Sequence, residues 1–112
     1  MAWSLDARIP VFLCADTAAM AAHAGAAMLL PEGVAPPAGA SAVAEFSADS
    51  HVVGCNCCAG RLPAAVALDR LFLDRVRGNV PFFRAVAALA SDDQVQRALA
   101  QDAVVGARFR PG

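Results

Sequence analysis

The chain has 112 residues, enough for one hydrophobic core, so we expect one domain spanning residues 1–112. Nine Arg against ten acidic residues leave a formal net charge of -1 without a basic block, which argues against nucleic-acid and anionic-membrane partners. Lys is absent, which excludes a phosphate-binding lysine and a lysine Schiff base.

The most apolar window, residues 9–30, does not have the pattern of a membrane span. Asp16 and His23 interrupt it, whereas a spanning helix needs about 20 mostly apolar residues. It also lacks the basic start and the cleavage site of a secretory signal. We therefore expect a cytoplasmic protein with no membrane partner. In that reducing compartment, clustered cysteines are more often metal ligands or redox centres than disulfides.

The first predicted elements are a strand and a helix. An apolar run at residues 9–14 predicts a buried strand. Asp16 or Thr17 then caps a helix that we expect to continue until Pro31, with four residues on its apolar face: Met20, Ala24, Ala27 and Met28.

The middle of the chain combines a loop, two short strands and a long helix. Proline and glycine residues predict a surface loop at residues 31–41, and short strands are expected at residues 42–46 and 51–54. Pro63 suits the first turn of a helix, and Gly78 suits the position just past its end. The longest predicted helix therefore lies between them.

The last third predicts one more strand and two helical segments. An apolar run covers residues 80–89, and we expect a buried strand in its middle. A capping box from Ser91 to Gln94 begins a helix that ends near Gln101, and Asp102 caps one further short turn. This alternation predicts an α/β fold with a small, mostly parallel sheet of three to four strands and helices packed against it.

Three of the four cysteines lie within the run Gly54-Cys55-Asn56-Cys57-Cys58. Packing does not explain this spacing, and closely spaced thiols ionise, bind soft metals and oxidise. Because the helix at Pro63 begins soon afterwards, we expect its unpaired amides to favour thiolate over thiol. We therefore predict that Cys55, Cys57 and Cys58 bind a thiophilic metal ion, with zinc as the expected ion.

A closed tetrahedral metal site needs a fourth ligand. Cys14 is the preferred residue, because it ends the first predicted strand at the edge where open α/β sheets bind ligands. His51, Asp16 and a residue of a second subunit are the alternatives. A homodimer that shares the ion is therefore one expected arrangement.

The cysteine run and the preceding Val52-Val53 resemble a motif of the CobW-type P-loop GTPases, a metallochaperone family with a Gly-Cys-x-Cys-Cys run between a strand and a helix. Residues 77–84 and 99–110 are similar to the family's lead into its next strand and to the helix-turn that follows. The resemblance covers roughly the second half of the chain. It implies binding of zinc or another transition metal by the three clustered cysteines.

The first half departs from this family. The family's first strand leads into a Gly-x-x-x-x-Gly-Lys-[Ser/Thr] loop, whereas residues 14–20 contain neither Gly nor Lys. The family's Glu-Thr-Thr-Gly segment is absent or shortened at residues 87–90, and no guanine-reading Asn-Lys-x-Asp follows. We therefore expect no nucleotide cofactor and no GTPase activity.

These features predict a CobW-like protein that handles or senses a transition metal ion rather than an enzyme, with a protein partner for metal transfer as a further expectation. Two alternatives stay open. One is a thiol redox protein that uses the vicinal Cys57 and Cys58. The other is a non-catalytic protein-interaction module derived from a GTPase.

Overall fold

The computed structural model describes residues 7–47, 62–89 and 93–112. The strands are β1 (Ile9–Cys14), β2 (Ala27–Pro31), β3 (Ala42–Phe46), β4 (Val86–Leu89) and β5 (Phe109–Pro111). The helices are α1 (Thr17–Ala21), α2 (Pro63–Arg77), α3 (Gln94–Gln101) and α4 (Ala103–Arg108). The strand expected at residues 51–54 and the capping residue Ser91 lie outside the described residues.

The five strands form one sheet in the order β3-β2-β4-β1-β5, and every pairing is parallel. The α/β prediction is confirmed, although the sheet has more strands than the three to four expected. β4 lies at the centre, between β2 and β1, and all four of its residues are buried. β5 is a short edge strand that pairs Phe109 with Ile9 of β1.

The prediction of a helix from Asp16 to Pro31 is wrong beyond Ala21. α1 ends at Ala21, and Gly25 adopts a left-handed φ of 86°, which glycine tolerates and a continuing helix does not. The chain then forms β2, whose five residues are all buried. A strand that is covered on both faces shows no polar alternation, so its apolar run was mistaken for part of a helix.

Each face of the sheet has its own hydrophobic core. The larger core lies on the face covered by α2, α3 and α4 and includes Val11, Leu29, Leu68, Val95 and Phe109. The smaller core lies on the face of α1 and contains seven buried residues: Cys14, Met20, Ala26, Met28, Leu30, Ala87 and Leu89. Neighbouring residues of β2 alternate between the two cores, as the pleat requires.

α2 begins and ends where the sequence predicts. Pro63 occupies the first turn, and Gly78 terminates the helix with a left-handed φ of 72°. This conformation lets the Asn79 amide donate to the Asp74 carbonyl at 2.9 Å. α2 has 15 residues, and across the described part of the chain no helix is both long and apolar enough to cross a bilayer.

The last third matches the sequence prediction in outline. The strand lies at the end of the 80–89 run, not in its middle, because the chain reaches the sheet only at Val86. α3 packs Val95 and Ala98 in the core. The Asp102 carboxylate caps α4 by accepting bonds from two backbone amides, those of Val104 at 3.0 Å and Val105 at 3.1 Å.

Candidate functional site

Parallel strands bring all their carboxyl ends to one edge of the sheet. At this edge β1 ends at Cys14, β4 ends at Leu89, and β3 ends at Phe46, just before the segment with the clustered cysteines. β1 and β4 are neighbours in the sheet, but the chain leaves them in opposite directions. The connection after β1 passes β4 to reach β2, and the connection after β4 passes β1 to reach β5 at the other end of the sheet. Ligands of open α/β sheets bind at such a switch point, which here lies between β1 and β4. The cysteine run instead follows β3 in the sequence, so the part of this edge at the end of β3 is the candidate site.

The predicted ligands Cys55, Cys57, Cys58 and His51 lie outside the described residues. Both flanks of their segment are described. Ser47 follows directly on β3, and Leu62 directly precedes α2. The 48–61 segment thus leaves from the carboxyl edge of the sheet and returns to the amino end of the longest described helix.

Gln94, the first residue of α3, ties these two flanks together. Its side-chain Nε2 donates to the Ser47 carbonyl at 2.9 Å, and its Oε1 accepts from the Ala64 amide at 3.2 Å. The residue is 2% exposed, its bond to Ala64 is buried, and its bond to Ser47 is partly buried. A buried amide whose donor and acceptor both find backbone partners holds those two backbone segments at a set separation.

This role of Gln94 was not predicted from the sequence. The sequence pattern predicts a capping box, in which the Gln94 side chain reaches back towards the start of its own helix. The signal that indicates burial is helical spacing, because Gln94 stands next to Val95 and four residues before Ala98, both in the core. A polar residue on the buried face of a helix requires partners from another element.

The amides at the start of α2 are less available than expected. Pro63 has no N–H, and the Ala64 amide is bonded to Gln94. The amides of Ala65 and Val66 both donate to the Leu62 carbonyl, at 3.0 and 3.2 Å. The expectation of unpaired amides is therefore wrong for these positions. The start of α2 still carries the positive end of the helix dipole. The dipole stabilises a neighbouring thiolate less than direct hydrogen bonds from unpaired amides would.

Cys14 does end β1 at the carboxyl edge, as predicted, but its thiol is buried in the smaller core. The Sγ atom donates to the Phe12 carbonyl at 3.6 Å. Burial raises the pKa of the Cys14 thiol, and the neighbouring Asp16 carboxylate raises it further. The neutral thiol is therefore favoured, whereas a metal ligand is a thiolate.

Sheet order also separates Cys14 from the flanks of the 48–61 segment. β4 and β2 lie between β1 and β3, and three strand spacings of about 4.8 Å amount to roughly 14 Å. Ala64 and Ala65 belong to the larger core, on the opposite face of the sheet from Cys14. The structure does not bring Cys14 to the start of α2.

Asp16, the other described alternative ligand, already has a structural role. Its Oδ1 accepts from the Ala19 amide at 2.7 Å and caps α1. Within residues 7–47, 62–89 and 93–112, no three or more His, Cys, Asp or Glu side chains cluster closely enough to hold a metal ion. Residues 51–58, where the ligands are predicted, lie outside these ranges.

A groove of about 510 Å³ runs between β3 and α2, next to both flanks of the segment. Ser47 and Pro63 line it at the carboxyl edge, and Glu45, Arg70 and Asp74 contribute charge. A second groove, of about 360 Å³, lies near the amino ends of β2 and β4 and includes His23, Phe82 and Arg84. Only the first groove adjoins the candidate site.

Residues 7–47, 62–89 and 93–112 define a class: an α/β protein with one all-parallel sheet, in which a cysteine-rich segment follows β3 in the sequence. Comparisons with models of protein families, with curated proteins and with solved structures found no match. The likeness to the CobW-type family therefore depends on the sequence motifs alone.

Proposed function

We propose that the protein binds a thiophilic transition metal ion, zinc in the first instance, through the thiolates of Cys55, Cys57 and Cys58. Thiolates are soft ligands that suit Zn²⁺ and Cu(I), and three of them within four residues can converge on one ion. The role is metal handling or sensing. On this proposal the protein resembles the CobW-type metallochaperones because it has kept their metal-binding cysteine motif, while it lacks their nucleotide-binding loop.

One observation carries the proposal beyond the motif itself, namely the geometry of the flanks. Gln94 bonds to Ser47 and to Ala64, so one buried side chain holds the backbone on either side of the cysteine segment. A segment with restrained ends loses less conformational entropy when its side chains converge on an ion. Cys58 precedes Pro63, the first residue of α2, by five positions, and the positive end of a helix dipole favours thiolate charge.

The fourth ligand is His51 in this proposal, with Cys14 as the alternative. A neutral imidazole and three thiolates form a Cys₃His set, which is a common zinc site. Cys14 is buried on the other face of the sheet, and its raised pKa opposes ionisation. Homodimerisation and metal transfer to a partner protein stay predictions.

Metal analysis of reduced protein purified without an affinity tag tests the proposal. We expect about one ion per chain, and Co²⁺ substitution should show the charge-transfer absorption of thiolate ligands. Cys57→Ser should lose most of this binding, whereas the matched Cys14→Ser should keep it. Wild-type protein with no bound metal and no response to added Co²⁺ would contradict the proposal.

The same samples distinguish the two alternative functions. A redox protein would form a reversible disulfide between vicinal or neighbouring thiols in the absence of metal, which a thiol count before and after mild oxidation detects. An interaction module would leave the thiols unmodified and bind no metal. Metal retained under reducing conditions argues against both.

A further inference from the structure

The groove at the amino ends of β2 and β4 combines an exposed aromatic ring with positive charge. Its volume of about 360 Å³ falls within the roughly 300–1,000 Å³ of small-molecule sites. Phe82, Arg84 and His23 are its three large side chains, and the other four lining residues are glycine or alanine. None of these seven described residues is acidic, so the lining suits a ligand with a negative charge.

Phe82 is held in place although it is exposed. Among the described residues it is the most exposed large apolar side chain, at 66%. The Arg75 guanidinium lies 4.1 Å from the centroid of the Phe82 ring, and the Arg75 Nε donates to the Phe83 carbonyl at 2.8 Å. Both contacts restrict the ring, the first through cation–π attraction. The ring therefore loses little conformational entropy when a ligand packs against it.

His23 and the backbone beside it are fixed as well. The imidazole stacks on the Phe12 ring, with centroids 4.8 Å apart and planes 15° apart. The Ala26 amide donates to the His23 carbonyl at 3.0 Å, and the Gly25 amide donates to the Gly39 carbonyl at 2.9 Å. This part of the lining is therefore ordered, and the imidazole offers ring nitrogens for hydrogen bonding.

Arg84 supplies the charge that decides the class of ligand. Its side chain is exposed, and in the described part of the chain no carboxylate pairs with it. A guanidinium binds a carboxylate through two parallel hydrogen bonds, and an aromatic ligand stacks on an aromatic side chain. We propose that this groove binds a small aromatic carboxylate, with Arg84 on its acidic group and Phe82 against its ring. All seven lining residues lie outside the cysteine run, so this site does not depend on the proposed metal ion.

The first experiment is an NMR titration of the full chain, under reducing conditions, with three small probes. Indoleacetate has both the ring and the charge, indoleacetamide has the ring alone, and cyclohexylacetate has the charge without an aromatic ring. We expect indoleacetate to bind with a Kd of about 1 mM or tighter, as its size allows. The two control probes should bind more weakly by at least about fivefold, because each lacks one contact. The backbone amides of Gly25, Ala26 and Ala85 should shift, whereas the Val105 amide should not.

The second experiment assigns the roles of the side chains with variants at exposed positions. Arg84→Gln should bind indoleacetate about tenfold more weakly than wild type, because it loses a hydrogen bond between charged groups. Arg97→Gln is the matched control, since it removes an exposed arginine of α3 and should bind like wild type. Phe82→Leu should weaken the binding of indoleacetate by about fivefold, the usual size of an aromatic contact.

Several results would overturn the proposal. One is the absence of shifts in the groove at about ten times the expected Kd of indoleacetate. Others are equal affinity for indoleacetate and indoleacetamide, or an Arg84→Gln variant that binds as tightly as wild type. Shifts that spread over the rest of the sheet, with no cluster at the groove, also contradict it. Metal content is measured separately, so any of these results leaves the proposed metal binding untouched.

Discussion

The side-chain oxygen of Gln94 accepts a hydrogen bond from the backbone amide of Ala64, 30 residues earlier in the chain, at 3.2 Å. The bond joins the first turn of α3 to the first turn of α2, and it forms at a position that is 2% exposed. Water cannot readily replace a lost partner in such a place. Removal of the side-chain amide therefore leaves the Ala64 amide and the Ser47 carbonyl without this partner, and the protein loses stability because such groups are costly to bury unpaired.

We expect Gln94→Met to lower the free energy of unfolding by about 2 kcal/mol, since a buried group that loses its partner costs about 1–3 kcal/mol and the apolar side chain recovers part of this. Urea denaturation of metal-free protein measures the change. Gln96→Met, at an exposed position of α3, should differ from wild type by less than about 0.5 kcal/mol. Equal losses in both variants would contradict this account of Gln94.

Cys14→Ala should retain metal binding. The Cys14 thiol is buried in the smaller core, and Ala64 at the start of α2 belongs to the core on the opposite face. Co²⁺ titration should give the same charge-transfer spectrum and an affinity within about threefold of wild type, the usual tolerance for a change that does not touch the ion. Loss of the spectrum would identify Cys14 as a ligand.

The stability of the protein should fall at alkaline pH in part because of Cys14. Burial first, and Asp16 second, raise the pKa of this thiol above its ordinary value of 9.0. The unfolded chain therefore releases the proton at a lower pH than the folded chain does. The contribution to stability is complete below pH 9.0 and is lost as pH rises through the folded-state pKa.

The measurement is the free energy of unfolding at several pH values from neutral to above 9.0, for wild type and Cys14→Ala. The variant should show a shallower alkaline decline, because the other cysteines titrate in both proteins and their effects cancel in the difference. Identical slopes would show that Cys14 ionises equally in the folded and unfolded chains.

Core packing under α2 can be tested with two leucines on the same helix. Leu68 is fully buried in the larger core, whereas Leu73 is 37% exposed. Leu68→Ala should cost about 2–5 kcal/mol, because it removes buried methyl groups and leaves a cavity. Leu73→Ala should cost less than about 1 kcal/mol, as expected for a partly exposed side chain. Thermal or urea unfolding of both variants provides the comparison.

The two helices after β4 provide a matched test of helix capping. Asp102 caps α4 through its side chain, whereas Asp93 precedes α3 without a side-chain capping bond. Asp102→Ala should therefore destabilise the protein by about 1 kcal/mol. Asp93→Ala should have a smaller effect in the same unfolding assay. The reverse order would show that the Asp102 carboxylate contributes little.

Local chemistry in the sequence determined the features that depend on a few neighbouring residues. Pro63 and Gly78 mark the ends of α2, and Asp102 marks the start of α4, because helix termini obey backbone rules that act within one turn. The alternation of strands and helices likewise indicated an α/β fold. The cysteine run predicted metal chemistry from residue type alone, and that prediction concerns residues outside the described ranges.

Tertiary structure alone decided the features that depend on distant partners. β2 was mistaken for helix because both its faces are covered, and β5 is a strand because three residues pair with β1. The role of Gln94 follows from bonds that span 30 and 47 residues. Local sequence patterns indicate which residues prefer to be buried. The role of a buried polar group, however, depends on the group with which it forms a hydrogen bond, and only the folded chain brings that partner close.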